Sequence, residues 1–219
     1  MPKIGILDDR EPQRQTMHRT VEAEVPEGWQ PIDVPLFEEL TKYPVWLVNN
    51  DVQVLLADFV LDEQAAEEGS GAANYKADAV IAAIRDALPD FPVFILTAFP
   101  KNADLQRTLG SAEAVMNRRR FGREATENVE RMVRAGRRFA REYERNLAEL
   151  GKLAEKAASG NADAAELEQL RSLQTALGLG LSAAGDVGRS EALDRFEAKL
   201  SDFEKLRGEI ERLLKQRSE

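Results

Sequence analysis

Four polar residues lie at the ends of apolar runs in the first half of the chain. Asp8 and Asp9 follow KIGIL, Asp58 ends VQVLLAD, and Thr97 lies near the end of FPVFILTA. If these runs are neighbouring parallel strands, the side chains meet at one edge of a sheet. Carboxylates that meet repel one another, and Mg²⁺ relieves the repulsion because it prefers oxygen ligands. A carboxylate beside the ion can attack phosphorus, and a hydroxyl such as that of Thr97 can donate to the new phosphate.

Each residue alone also fits a plain structural role. An Asp at the end of a strand is often a helix cap or a turn residue, because its side chain accepts hydrogen bonds from nearby backbone N–H groups. A Thr at such a position is often a capping or core hydroxyl. The functional interpretation therefore depends on the four residues coming together.

Alternating strand and helix patterns are expected to position these residues. Strands are predicted at 3–8, 29–36, 52–58, 91–98 and 112–117. Helices are predicted at 10–24, 37–50 with a break near Pro44, 76–88 and 102–109, with a surface loop at 62–75. The alternation predicts an α/β fold with a doubly wound, five-stranded parallel sheet.

From Phe121 onward the pattern becomes helical. Apolar residues spaced by three and four predict long helices at about 123–158 and 193–213, with a shorter helix ending near Leu177. Gly160 and Asn161 are expected to end the first long helix, and Asp163 to cap the next. We therefore predict a domain at 1–121 and an all-α coiled-coil or helical-bundle module at 122–219. The apolar stripe fits both an intramolecular hairpin and an interface with a second copy or another protein.

The composition excludes several classes of site. The 219 residues contain no Cys and a single His, His18, so thiolate sites and histidine-based metal sites or triads are not expected. No apolar run approaches a membrane span, and the N-terminus does not resemble a signal peptide, so we expect a cytoplasmic protein. Residues 1–117 carry nine Lys or Arg against twenty Asp or Glu. Nucleic-acid binding is therefore not expected, and the arginines between 118 and 145 are interpreted as a solvated helix face with interleaved glutamates.

The motifs ILDD at 6–9, LLAD at 55–58 and ILTA at 95–98 are followed by a basic residue after the fifth strand. Their order and spacing resemble the receiver domains of two-component response regulators over about residues 1–121. The resemblance implies a flavodoxin-like fold and a phosphorelay signalling role rather than a metabolic activity. It also implies a histidine kinase or a small phosphodonor as the source of the phosphoryl group.

The same resemblance implies roles for individual residues. Asp58 matches the phosphoacceptor and Thr97 the switch hydroxyl. Asp8, Asp9, Asp58 and the main-chain carbonyl of Val60 match the ligands of Mg²⁺. The helical module then transmits the phosphorylation state through a homodimer or a protein partner.

One departure from the family pattern concerns the lysine after the fifth strand. The chain has NRRRF at 117–121, so Arg118 or its neighbour Arg119 is the available substitute. A guanidinium is a planar fork and not a compact ammonium, so the exchange is not conservative. This leaves an alternative open, a pseudo-receiver that acts as an interaction scaffold and is not phosphorylated. A phosphohydrolase of the haloacid dehalogenase type does not fit. That family needs an Asp two residues after its nucleophile and then a turn of small residues, whereas Arg10-Glu11-Pro12 follows Asp8-Asp9.

Overall fold

Five parallel strands form the centre of the fold. The structure is a computed structural model that describes residues 1–61, 75–98 and 112–177. The strands are β1 (Lys3–Leu7), β2 (Gln30–Asp33), β3 (Val52–Asp58), β4 (Val93–Thr97) and β5 (Ala114–Asn117). They pair in the order β2-β1-β3-β4-β5, and every pair is parallel. This is the flavodoxin-like order of a doubly wound sheet, so the predicted fold class is confirmed.

Six helices accompany the sheet within the described residues. They are α1 (Glu11–Glu24), α2 (Lys42–Asn49), α3 (Ala77–Ala87), α4 (Arg118–Phe121), α5 (Ala125–Ala158) and α6 (Ala164–Ala176). The predicted helices at 102–109 and 193–213 lie outside the described residues, as does nearly all of the predicted loop at 62–75. None of the described helices combines the length and the apolar character that a membrane span requires.

The helix predicted at 37–50 is shorter than expected. It begins at Lys42, and Pro44 lies in its first turn and does not interrupt it. A proline is tolerated there because the N–H groups of the first turn have no partner within the helix. The apolar residues from Phe37 to Leu40 pack against the core from a turn segment instead.

The helices cover both faces of the sheet. Along β3, Leu55 and Ala57 contribute to the core under α2 and α3, whereas Val54 and Leu56 contribute to the core under α1 and α5. Successive strand residues point to opposite faces, which explains why β3 is apolar at almost every position. Burial of both faces fixes the register of the central strands, and therefore the place where each strand ends.

The beginning of α5 belongs to the core beside the sheet. Val129 and Met132 are fully buried in the same cluster as Ile4 and Val54. The core thus takes side chains from both sides of the predicted boundary at 121. The division into domains stays a prediction, because this packing does not show whether 122–219 acts as a separate module.

The second half of α5 packs against α6. Leu150 and Leu153 are buried, and the two helices contact each other. The turn between them has Gly160 at φ +72°, and α6 begins with a capping box in which Asp163 and Glu166 bond to each other's backbone N–H. The predicted helix end and cap are confirmed. At these positions the apolar stripe packs within the chain. Association with a second copy or another protein through this stripe stays a prediction.

Gly136 lets α5 approach the sheet closely. A Cβ at this position would lie 2.7 Å from Cη2 of Trp29 and 3.3 Å from the backbone oxygen of Gln53. By contrast, a Cβ at Gly151 of the same helix would meet nothing within 4 Å. Alanine substitutions at the two glycines therefore distinguish the effect of close packing from that of helix propensity.

We expect Gly136→Ala to lower the free energy of unfolding by about 1–3 kcal/mol, because the methyl group overpacks the contact with Trp29. Gly151→Ala is the matched control and should raise it by about 0.5–1 kcal/mol, because alanine favours the helix. Urea denaturation measures both. Equal shifts in the two variants would contradict a close approach at Gly136.

Candidate functional site

The register of the sheet brings the predicted site residues to one edge. Leu7 pairs with Ala57, and Asp58 pairs with Leu96. Asp8 therefore follows β1 beside the end of β3, and Thr97 extends one residue beyond Leu96 on β4. Within the described residues, Asp8, Asp9 and Asp58 each place a carboxylate oxygen within 4.8 Å of the others. The expected meeting of the three carboxylates is therefore found.

All four predicted polar residues are buried. The exposed fractions are 0% for Asp8, 3% for Asp9, 7% for Asp58 and 4% for Thr97. Charged side chains are seldom this buried without compensation, because losing water costs several kcal/mol per ion. The site is therefore a place where a positive charge is strongly favoured.

Backbone groups hold two of the carboxylates in place. The backbone N–H of Arg10 donates to Oδ1 of Asp8 at 2.9 Å, and that of Phe59 donates to Oδ1 of Asp58 at 2.8 Å. The N–H of Phe59 is shared, because it also donates to the backbone oxygen of Leu96 on β4 at 3.2 Å. Val60 follows Phe59 and is half-buried against the core, two residues beyond Asp58.

Arg118 places its guanidinium between two of the carboxylates. Its Nη2 lies 2.9 Å from Oδ2 of Asp8 and 2.7 Å from Oδ1 of Asp58. The position follows from local structure, because Arg118 is the first residue of α4, directly after β5. The side chain of Asn117 caps this helix by accepting from the N–H of Arg119 at 2.9 Å. Of the two arginines considered from the sequence, Arg118 is the one that reaches the site.

Burial dominates the electrostatics of the carboxyls. It raises the pKa of Asp58 to about 7, against the opposing effect of the Arg118 guanidinium. It also raises the pKa of Asp8 above its usual value, although the N–H of Arg10 and Arg118 both act in the other direction. The guanidinium therefore compensates the buried charge only in part.

The donor set fits a hard divalent cation. Three carboxylates supply oxygen ligands within the span of one coordination sphere, and neither His nor Cys belongs to this group. Mg²⁺ binds in proteins through one or two carboxylates together with waters and phosphate oxygens. Asp8, Asp9 and Asp58 would hold such an ion.

Arg14 belongs to the surroundings of the site and was not identified from the sequence. Its Nη1 donates to the backbone oxygen of Asp8 at 2.9 Å, and its Nε lies 3.5 Å from Oδ2 of Asp33. Oδ1 of Asp33 also lies 2.7 Å from Nδ1 of His18. This contact was not predicted from the sequence. The sequence feature that could have identified Arg14 is its position one turn into the helix that follows Asp8-Asp9.

Comparisons with known proteins concern the fold. No protein-family model and no curated protein matches the chain. The chain is similar to the solved signal receiver domain of an HD domain-containing protein from Pseudomonas fluorescens Pf-5, with 14% identity and a TM-score of 0.48 over 66% of this chain and 93% of that one. It is also similar to a response regulator receiver domain protein from Clostridium thermocellum, with 15% identity and a TM-score of 0.45 over 61% and 95% of the two chains. The fold itself is established by the strand order of the sheet.

The raised pKa of Asp58 predicts how Asp58→Asn changes stability with pH. Between the ordinary pKa near 4 and the folded value of about 7, the folded state keeps a proton that the unfolded state has released. Stability of the metal-free wild type therefore falls over this window and levels off above it. Asparagine binds no proton in this range, so Asp58→Asn has no such loss. The free energy of unfolding of the variant, relative to that of the wild type, should therefore rise from pH 5 to pH 8 by on the order of a few kcal/mol.

Chemical denaturation in the presence of a chelator measures this gain. Asp86→Asn is the control, because Asp86 is exposed near the end of α3. A stability difference between wild type and Asp58→Asn that stays constant from pH 5 to pH 8 would argue against a buried, proton-binding Asp58.

Proposed function

We propose that the protein is a response-regulator-like signalling protein that accepts a phosphoryl group on Asp58. The observation that carries the proposal is the buried group of Asp8, Asp9 and Asp58, with the guanidinium of Arg118 contacting two of the three. An acidic group of this kind at the carboxyl edge of a doubly wound sheet suits a cation and a transferable phosphoryl group. The proposed phosphodonor is a histidine kinase or a small acyl phosphate.

The chemistry assigns a task to each residue. An oxygen of Asp58 forms a bond to phosphorus while the bond between phosphorus and the donor's nitrogen or oxygen breaks. The residues that would hold Mg²⁺ are Asp8, Asp9, Asp58 and, through its main-chain carbonyl, Val60; the ion would supply positive charge that offsets the charge of the transferring group. Arg118 can exchange its contact with Asp58 for phosphoryl oxygens, to which a guanidinium forms paired hydrogen bonds.

Thr97 and the connection after β5 provide a route for the signal. Thr97 lies opposite Asn117 in the pairing of β4 with β5, and Asn117 caps the helix that begins at Arg118. Phosphate on Asp58 that draws Thr97 or Arg118 toward it would alter the start of α4 and, beyond the three residues that separate the two helices, the start of α5. We propose that residues 122–219 read this change as a dimerisation or partner-binding module in the cytoplasm.

A second candidate function is a pseudo-receiver scaffold that is not phosphorylated. The specific observation in its favour is again Arg118, because the guanidinium already supplies a positive charge to Asp8 and Asp58. A permanent internal cation of this kind would make a metal ion unnecessary for folding. The two candidates differ in whether Mg²⁺ and phosphoryl groups displace the guanidinium.

Phosphorylation is tested by incubating the full chain with acetyl phosphate and Mg²⁺ and measuring the intact mass. The wild type should gain the mass of one phosphoryl group, and Asp58→Asn should gain none. Asp86→Asn is the control, because Asp86 is exposed near the end of α3, and it should gain the same mass as the wild type. No gain in the wild type would favour the scaffold.

Metal binding is tested by the thermal midpoint with and without Mg²⁺. The signalling function predicts that Mg²⁺ raises the midpoint of the wild type, since a ligand of the folded state stabilises by about 2.7 kcal/mol at one hundred times its Kd. Arg118→Gln should lower the midpoint without metal and enlarge the gain from Mg²⁺, because the carboxylates lose their internal cation. Unchanged midpoints in both proteins would exclude the metal site.

A further inference from the structure

A second concave site lies at the opposite edge of the sheet. The cleft has a volume of about 720 Å³ and is lined by residues at the amino ends of the strands and by one face of α5. Pro2 precedes β1, Trp29 precedes β2, and Gln53 is the second residue of β3. Gln53 and Asp58 are five residues apart on β3, which is about 16 Å along a strand. The cleft is therefore separate from the carboxylates.

The floor of the cleft contains an aromatic side chain. Trp29 is 7% exposed, and its indole reaches the surface of α5 at Gly136, where a Cβ would lie 2.7 Å from Cη2. The missing side chain at Gly136 thus makes room for the indole. Pro2 and Ala140 add further apolar surface to the lining.

The wall of the cleft is strongly basic although the protein carries a net charge of -9. Arg134, Arg137, Arg138 and Arg141 line it, with Glu144 as the single acidic residue. Like charges three or four residues apart on a helix repel one another. An anion in the cleft would relieve that repulsion.

Among the described residues, two of the four arginines have acidic partners and two do not. Arg138 lies 2.8 Å from Glu113, and Arg134 lies 3.5 Å from Glu130. Over residues 1–61, 75–98 and 112–177, Arg137 and Arg141 form no ion pair; Nε of Arg141 donates to the backbone oxygen of Arg137. Their terminal guanidinium nitrogens therefore remain for an external anion.

We propose that this cleft binds a small phosphorylated ligand with an aromatic ring, the chemistry of a nucleotide. Its phosphates pair with Arg137 and Arg141, because guanidinium groups bind phosphate through paired hydrogen bonds. Its ring lies against the apolar floor at Trp29, where stacking on an aromatic side chain is favourable. The volume lies within the roughly 300–1,000 Å³ of small-molecule sites. The site is distinct from the phosphorylation proposed for Asp58.

The test uses the full chain and ATP in buffer without metal, so that the carboxylate site does not take part. Isothermal titration calorimetry should show saturable binding of one ATP. With Trp46 replaced by Phe, the emission of Trp29 should change with the same dissociation constant. The double variant Arg137→Gln, Arg141→Gln should bind at least about tenfold more weakly, whereas the double variant Arg120→Gln, Arg123→Gln, an equal charge change at exposed positions before α5, should bind like the wild type.

Inorganic pyrophosphate and adenosine separate the two parts of the ligand, and each should bind more weakly than ATP. Pyrophosphate that binds as tightly as ATP would overturn the proposal, because the ring would contribute nothing. So would an unchanged affinity in the double variant, or the absence of saturable binding. A single-stranded oligonucleotide that binds more tightly than ATP would overturn it in favour of a nucleic-acid surface along α5.

Discussion

Burial of three carboxylates at one edge of the sheet is the constraint on which the arrangement around the site depends. Asp8 and Asp58 are almost without solvent, and their contacts with the guanidinium of Arg118 are 2.9 and 2.7 Å. An uncompensated pair of buried anions would cost several kcal/mol, whereas the guanidinium offsets part of that cost without a metal ion. Arg118 lies at this position because β5 ends at Asn117, whose side chain caps the short helix that begins at Arg118. The charge balance and the chain path after β5 are thus coupled.

The helix that follows this part of the chain, α5, contributes to several parts of the structure. The helix begins shortly after Arg118, buries Val129 and Met132 beside the sheet, and then carries its arginines past the amino ends of the strands. It lies close to the sheet at Gly136, beside Trp29. One helix therefore begins shortly after Arg118 and lines the basic cleft farther along its length.

The sequence was sufficient for the parts of the fold that depend on local pattern. Apolar runs that end in Asp predict buried parallel strands, and Asp163 predicts a helix cap, because these signals are contained in a few neighbouring residues. The beginning of α5 was harder to interpret, because a stripe at steps of three and four has the same spacing whether it packs on a sheet or on another helix. The contact of Arg14 with the backbone of Asp8 depends on the angle of α1 to β1. The cleft at Trp29 was missed because its walls come from distant segments.

The metal site proposed at the carboxyl edge of the sheet can be tested directly with paramagnetic Mn²⁺. In a titration of ¹⁵N-labelled protein, the amide signals of Arg10 and Phe59, which bond Asp8 and Asp58, should broaden at the lowest Mn²⁺ concentrations. Excess Mg²⁺ should restore them, and the amide of Gln53 at the other end of β3 should stay sharp. Broadening that spares Arg10 and Phe59, or that Mg²⁺ does not reverse, would contradict a metal site among these carboxylates.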